Sequence, residues 1–521
     1  MSHRLNPGDL GRCEASQAEV VAWLGDPESH GGHPVNRIDT PISHVFIAGP
    51  RTYKLKRAVT RNFVDYSTLE KRKALCEREV EVNIAHAPRL YKGVLPVVRT
   101  DNGLELGGTD GEAVEYVVEM ATFDPDLAFD RMAEAGLLEL SHMRQLADII
   151  ARMHVQAPVV HNGGAAEIFA ETLEQIAEAI LEAPVGDCLL SEVSAWRADA
   201  HSALARLARQ MDARRRHGFV RRCHGDLHLG NVCLFEGVPT PFDAIEFSED
   251  IASIDVLYDL AFTVMDLLYR GLRRHANVLV GRYFNLTRDY KGMALMALFV
   301  SMRAAVRAMV AATNEDSDTG RKEALARLGF ATDVLSLNSP PQLIAIGGLS
   351  GSGKSTVAQA VAPELPGLCG ALTIRSDVCR KRLFKAAPEA PLPPEAYAPD
   401  VSAQVYSIMR KDAGRALRAG ATVIVDATFI DGDEAGDLQR VAEAAGARFT
   451  GLWLSLDLDA LQARIKQRGA DASDATPAVA AAQSARVRTL PAWTVLDAGG
   501  TADEVAARAL RTLRSCGSGS A

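Results

Sequence analysis

The stretch His224-Gly-Asp-Leu-His-Leu-Gly-Asn231, followed by Pro241-Phe-Asp243, decides how this chain is read. It sets a carboxylate, an amide and a second carboxylate at a spacing suited to moving a phosphoryl group. Asp226 can take the proton of an acceptor hydroxyl, while Asn231 and Asp243 can hold the magnesium that bridges ATP phosphates. Well downstream, Gly348-Leu-Ser-Gly-Ser-Gly-Lys-Ser355 supplies a second phosphate signature. One chain thus carries two unrelated ATP-type sites.

At 521 residues the chain exceeds one ordinary core, and length alone suggests about two to four domains. An apolar share of 47% with 24% charged residues is that of a soluble globular protein. The net charge of −9 gives no general attraction to nucleic acid or acidic membranes. Eight cysteines are scattered without a Cys-x-x-Cys pair, so neither a zinc site nor a disulfide framework is indicated. Reduced thiols in a cytoplasmic compartment fit best. The first forty residues are polar and carry no secretory pattern. The most apolar helix candidate, Met293–Ala312, is interrupted by Arg303 and Arg307 and reads as a buried helix, not a membrane span.

Residues 1–40 read as an irregular leader with a short helix near Ala18–Leu24. Ile42–Val59 has the pattern strand, turn, strand. Ser67 can cap a helix in which Leu75 and Val82 stand seven apart, running to about Ala85. Short strands are expected around Gly93–Arg99, Leu104–Leu106 and Glu115–Met120. Helices follow from about Ala128 to Ala183, Glu192 to Arg216, and Ile254 to Leu335. Asn338-Ser-Pro-Pro341 is the clearest linker (337–341), because paired prolines end helices and lack amide donors. Beyond it strands alternate with helices: Leu343–Ile346, a helix from Ser355, Leu372–Ile374, Thr422–Val425 and Thr450–Leu454. That grammar argues for an α/β domain over 342–515, a parallel sheet covered by helices. The Gly-Ser-rich end, 516–521, reads as a disordered tail.

On His-Gly-Asp-x-x-x-x-Asn and the later strand aspartate, the upstream region resembles the aminoglycoside phosphotransferase branch of the protein-kinase-like fold. The resemblance covers roughly residues 40–335. It implies an α+β two-lobed domain over 41–336, with a small lobe to about residue 120 and a large lobe from about 121. It makes Asp226 the catalytic base and Asn231 and Asp243 the magnesium ligands. It also calls for a strand lysine on the ATP phosphates and a helix glutamate holding that lysine. Lys54 and Lys56 alternate onto the same strand face, so pattern alone does not separate them; Lys54 is the first choice. Glu79 lies on the inward stripe between Leu75 and Val82 and is preferred over Glu77. The hinge that would receive adenine falls at Glu119–Met120. Asp259 reads as structural support, and His224 and His228 as loop-bracing hydrogen bonders. The Tyr53-Lys-Leu-Lys56 strand, the lack of an obvious glycine-rich loop and the absence of an acidic C-terminal end depart from drug-modifying members. The resemblance therefore names a fold relative, not an aminoglycoside acceptor.

In the downstream half, Gly348-x-x-x-x-Gly353-Lys-Ser355 follows an apolar strand and opens a helix, the context of a P-loop. The expected ATP contacts run through Gly348, Leu349, Ser350, Gly351, Ser352, Gly353, Lys354, Ser355 and Thr356. Backbone amides and the helix N-terminus cradle phosphates, Lys354 reaches the β/γ oxygens, and Ser355 binds magnesium. Val423-Ile-Val-Asp426-Ala-Thr-Phe429 lacks the glutamate that hydrolases place after the strand carboxylate, which favours transfer to a hydroxyl. With Ile374-Arg-Ser-Asp377-Val-Cys-Arg380, this half looks like the small kinases that include polynucleotide, gluconate and adenylylsulfate kinases and zeta-type toxins. The resemblance makes Asp377 the base, Arg380 the substrate anchor, Asp426 a support for magnesium, and Arg464 and Arg468 lid arginines over the phosphate.

The leading expectation is a bifunctional ATP- and magnesium-dependent phosphotransferase, each half acting on a hydroxyl of a small molecule. A regulatory protein, one half sensing nucleotide or ligand and controlling the other, is the alternative. A third reading makes the P-loop half a polynucleotide 5′-hydroxyl kinase. The acidic charge and the lack of a basic-aromatic stripe argue against that and against nucleic-acid partners in general.

Overall fold

The computed structural model describes residues 17–61, 64–161, 165–313, 317–337, 339–387, 390–430, 432–467, 473–486 and 493–515. Packing groups the chain into two compact units. One runs to Thr172 and resumes over Ala208–Asp266; the other joins Leu173–Leu207 to the stretch from Leu267 onward.

The first unit opens with a helix, α1, over residues 17–24. An antiparallel sheet comes next, built from β1 (Val35–Asp39), β2 (Ser43–Ala48), β3 (Arg51–Lys56), β4 (Tyr91–Thr100), β5 (Gly103–Leu106) and β6 (Glu112–Ala121). Its order is β1-β2-β3-β6-β4-β5. The period of two sorts β3 cleanly. Tyr53 and Leu55 face a core with Val20 and Leu24 of α1, Phe46 and Val117. Lys54 and Lys56 face the other way, toward α2 (Leu69–Ile84). β1 lies within the stretch expected to be irregular. Four of its five residues are exposed, so no apolar alternation betrays it.

Thr68, not Ser67, caps α2: its side chain accepts from the Lys71 amide at 3.3 Å, while the Ser67 hydroxyl donates to Asp65. The buried stripe of α2 is Arg72, Cys76, Glu79 and Asn83. Leu75 and Val82 are only half-buried. A polar stripe can face inward here because partners await it, Arg72 meeting Glu115 at 2.8 Å.

The rest of this unit includes α3 (Leu140–Gln156), β7 (Val220–Arg222), the hairpin β8 (Val232–Phe235) and β9 (Val238–Pro241), β10 (Ser253–Asp255) paired to β7, and the start of α4 (Val256–Tyr269). The His224–Asn231 loop joins β7 to β8, and Asp243 lies just after β9.

In the second unit, β11 (Gln342–Gly348), β12 (Leu372–Arg375), β13 (Val423–Asp426), β14 (Arg448–Ser455) and β15 (Thr494–Asp497) form a parallel sheet ordered β12-β13-β11-β14-β15. The central strand β11 is buried along nearly its whole length, as a parallel strand covered on both faces must be. The last strand, β15, escapes the sequence reading because three of its four residues are exposed. Helices α5 (Arg273–Thr287), α6 (Met296–Ala312) and α7 (Ser317–Ser336) belong to this unit. Among the described residues one helix, Tyr290–Ala312, is long and apolar enough to cross a membrane. Most of it is buried inside the protein, Arg303 included.

Candidate active sites

The loop of the first site is held from below by one face of α4. Asp259 accepts the Gly225 amide at 2.8 Å and the His224 amide at 3.3 Å; Thr263 donates to Leu227 O at 2.6 Å; Asp266 accepts the Leu229 amide at 3.2 Å. Residues at i, i+4 and i+7 share a helical face, so a single helix pins the loop at three points. His154 meets the same Asp259 carboxylate at 3.1 Å. His224 contacts Phe242 O at 2.9 Å through Nε2, and His228 accepts the Gly230 amide at 3.0 Å. Both histidines thus brace the loop.

On this support, the Asn231 amide donates to Asp226 O at 2.9 Å and to Asp226 Oδ2 at 3.0 Å, and the Asp226 side chain is 39% exposed. Asp243 adopts a left-handed φ of 61°. That conformation costs a residue with a side chain roughly 1–3 kcal/mol and persists only where the surroundings impose it. They do: the Asp243 amide donates to the Tyr91 hydroxyl at 3.2 Å, and the next amide, Ala244, donates to Asn83 Oδ1 at 2.9 Å.

Lys54 Nζ lies 2.9 Å from Glu79 Oε1 and 2.5 Å from Asp243 Oδ1. Lys56 Nζ lies 2.7 Å from Glu79 Oε2 and also pairs with Glu246, whose carboxylate accepts from the Tyr66 hydroxyl at 2.9 Å. Burial works to raise the Glu79 carboxyl, but the Lys54 and Lys56 ammonium groups override it and hold it far below the usual range. Both lysines are likewise driven upward: burial opposes their charge, yet Asp243 and Glu79 at Lys54, and Glu79 and Glu246 at Lys56, prevail. The geometry separates the two. Lys54 is 14% exposed and touches Asp243, itself 41% exposed; Lys56 is 1% exposed and sees only buried partners. Tyr66, Tyr91 and Glu246 complete this cluster without any signal in the sequence periodicity. Glu119 and Met120 lie inside β6, paired on one side with Tyr53 and Thr52 and on the other with Gly93 and Tyr91. The Glu119 carboxylate is taken by Arg51 at 2.5 Å. The pair therefore sits within the sheet, with the strand ending one residue later.

In the second unit the turn after β11 needs glycine. Gly348, Gly351 and Gly353 have φ of 143°, 88° and 90°, and a Cβ on Gly351 would sit 2.9 Å from Ile465 and from Leu461 O. Gly353 N-caps α8 (Lys354–Val361), so the turn delivers backbone amides at a helix N-terminus. Lys354 Nζ donates to Leu349 O at 2.9 Å, and the Ser350 amide donates to Gln483 Oε1 at 2.9 Å from helix α11 (Pro477–Ser484). Sequence reasoning misses Gln483, a glutamine on an otherwise alanine-rich helix. Ser352 Oγ is buried without a hydrogen-bond partner among the described residues. Thr356 is exposed.

The Ser355 hydroxyl donates to Asp426 Oδ2 at 2.5 Å, and Arg375 Nε stands 3.4 Å from the same oxygen. Asp377 opens α9 (Ser376–Leu383). Burial, then the neighbouring Asp426 charge, push its carboxyl up, against the pull of Arg375, Lys354 and Arg380. Arg380 is buried: it donates to Ala396 O at 2.6 Å and to Ser402 Oγ at 3.3 Å, and lies over the Tyr397 ring at 4.8 Å. Those two donors are spent on the protein; Nε has no partner among the described residues. Arg464 donates to Ala498 O and Gly500 O at 3.0 and 3.1 Å, and its Nη1 is 3.7 Å from where a Gly353 Cβ would stand, beside the phosphate turn. Arg468 lies outside the described residues.

Comparison with known proteins finds a separate family match in each part of the chain. Residues 52–296 match the sequence model of the phosphotransferase enzyme family, and residues 343–490 match that of an AAA domain. Uncharacterized proteins of Mycobacterium tuberculosis and Mycobacterium bovis are each 27% identical over 497 residues, covering 92% of this chain and 93% of theirs. Among solved structures, a choline/ethanolamine kinase family protein from Mesorhizobium loti is 14% identical (TM-score 0.36), covering 62% of this chain and 95% of its own. A gluconokinase from Sinorhizobium meliloti is 19% identical (TM-score 0.26), covering 34% of this chain and 95% of its own. The chain carries a phosphotransferase enzyme family domain followed by a P-loop kinase domain of the AAA type, and it is an ATP-dependent kinase in class.

Proposed function

We propose that the chain is a two-headed phosphotransferase in which each half moves the γ-phosphoryl group of ATP to a hydroxyl of a small molecule. The observation that supports this most directly is that both units gather a complete cation–carboxylate constellation. In the first, Lys54, Glu79 and Asp243 meet within 2.9 Å beside Asn231 and Asp226. In the second, Ser355 and Asp426 meet at 2.5 Å near Lys354 and Asp377. Magnesium fits both donor sets, since the amide oxygen of Asn231 with Asp243, and the hydroxyl of Ser355 with Asp426, are hard oxygen ligands. When bound it neutralises charge on the transferring phosphate.

Each of the chain's own groups then has a role. Lys54 and Lys354 bind phosphate oxygens, Asp226 and Asp377 receive the acceptor proton, and Arg464 draws over the P-loop. The upward push on Asp377 brings its basicity closer to neutral pH, where a general base works best. The acidic net charge favours small hydroxyl compounds over nucleic acid as acceptors, and a cytoplasmic supply of ATP suits both sites.

The test is ATP consumption with detection of phosphorylated product by mass across a library of hydroxyl compounds. Wild type is run beside Asp226→Asn, Lys354→Ala and Asp377→Asn. Acceptors lost only with Asp226→Asn belong to the first site, and those lost with Lys354→Ala and Asp377→Asn to the second. Binding of ATP at both sites with no compound phosphorylated would instead favour nucleotide sensing.

A further inference from the structure

The P-loop unit is supported partly by a segment that matches the other family. Helix α5 lies within residues 52–296, the stretch that matches the phosphotransferase enzyme family. Within the second unit its side chains nonetheless satisfy the backbone that leads into β12. Arg273 donates to Pro363 O, Leu365 O, Gly367 O and Leu368 O at 2.6, 3.0, 2.7 and 3.0 Å. Asn277 donates to Cys369 O and Ala371 O at 2.8 and 2.9 Å, and Asn285 to Thr373 O in β12 at 2.9 Å. Seven carbonyls in one eleven-residue stretch thus accept hydrogen bonds from three α5 side chains.

The contact continues to the helix that bears Asp377. Arg288, which ends α5 at a left-handed φ of 58°, reaches Asp412 of α10 (Pro399–Arg418) with Nη2 at 2.6 Å and Nε at 3.1 Å. Asp412 is fully buried and also receives Arg382 at 3.2 Å and Arg415 at 3.1 Å. Arg382 stands on α9, and its Nη1 donates to Asn285 O of α5 at 2.8 Å. A guanidinium fork on a carboxylate fixes direction as well as distance. Asp412 therefore ties α9 to α10 and to the end of α5 through a rigid three-way joint, and α9 carries Asp377 and Arg380.

We propose that Asp412, with Arg288 and Arg382, positions the acceptor base Asp377, so that phosphoryl transfer at the P-loop site depends on residues 273–288 of the phosphotransferase-family segment. The proposal rests on the reading of Asp377 as that base. It makes the second head a composite, unable to work when severed from the helices before Asn338.

Removing Asp412 would strand three arginines and risks unfolding, so the decisive variants are Arg288→Gly and Arg288→Lys in the full chain. Glycine suits the left-handed backbone but removes the whole side chain, guanidinium included; lysine keeps the aliphatic stem and the charge, so it separates loss of the guanidinium fork from loss of the side chain. Amide hydrogen exchange on α9 and α8, ADP–magnesium binding, and turnover of the acceptor found in the Lys354-dependent screen are measured together. In Arg288→Gly, α9 exchanges faster while α8 keeps its protection and ADP affinity stays within about twofold. Turnover falls on the order of tenfold to a hundredfold, as a misplacement of about 1 Å produces, and Arg288→Lys recovers part of it. Unchanged α9 exchange and turnover overturn the proposal. So does a parallel loss of α8 protection and ADP affinity, which marks a merely structural joint. If Asp377→Asn leaves turnover intact, the base assignment fails on its own, whatever Arg288→Gly does to α9.

Discussion

Replacing each β3 lysine by methionine separates catalysis from folding in the first unit. Lys56 is 1% exposed between Glu79 at 0% and Glu246 at 5%. Among the described residues, Lys56→Met leaves Glu246 with only the Tyr66 hydroxyl as a donor and Glu79 with one lysine instead of two. Stripping one partner from a buried ion pair costs about 3–5 kcal/mol. At about 2–4 °C per kcal/mol for a unit of this size, melting should fall by roughly 6–20 °C. Lys54→Met is different. Glu79 keeps Lys56, and the stranded Asp243 is 41% exposed, so water screens what remains. The loss should be about 1 kcal/mol. Its effect on chemistry is the larger one: with the cation proposed to bind phosphate gone, first-site turnover should drop on the order of a hundredfold or more. Calorimetry of the full chain, with ATP consumption on the Asp226-dependent acceptor, reads both quantities. Equal melting losses in the two variants, or turnover that survives Lys54→Met, would refute the division of labour.

Acid should act on the same cluster. Glu79 is held below its ordinary 4.5, so the stability it contributes is fully present above that value and is lost as the pH falls through the depressed folded-state value. A pH series of melts should therefore show a decline beginning near 4.5 that Lys56→Met weakens. At the second site the raised Asp377 carboxyl must lose its proton to act, so the acid limb of turnover should lie above the ordinary aspartate value of 3.8. A pH–rate profile on the Lys354-dependent acceptor checks it, and a limb at or below 3.8 contradicts the assignment. Gln483→Ala frees the Ser350 amide for a phosphate oxygen. ADP should then bind about two- to tenfold tighter, the worth of one hydrogen bond no longer displaced, as titration with a labelled ADP would read. Gly351→Ala should abolish ADP binding, because its φ of 88° and the 2.9 Å approach to Leu461 O leave no room for a methyl group.

Chemistry that fixes residue types at short range was readable, and packing set by distant partners was not. The carboxylate–amide–carboxylate spacing around Asp226, Asn231 and Asp243 is local, and so is the two-residue period that turns Lys54 and Lys56 to one face. Alternation of apolar strands with helices likewise announced the parallel sheet. What failed to show had no local signature. β1 and β15 are mostly exposed edge strands, and the adjacent Ser67 and Thr68 are equally good caps on composition alone. The inward stripe of α2 is polar because Arg72 and Glu79 find Glu115, Lys54 and Lys56 from other elements, which no periodicity in α2 reveals. The same blindness covers α5. Arg273, Asn277, Asn285 and Arg288 carry no apolar pattern, yet each is spent on the P-loop unit: on the segment leading into β12, on β12 itself or on α10. Polar side chains that pair over such separations leave no hydrophobic pattern. A boundary drawn from composition at paired prolines therefore marks where the helices stop, while the hydrogen bonds mark how far the second site's support extends.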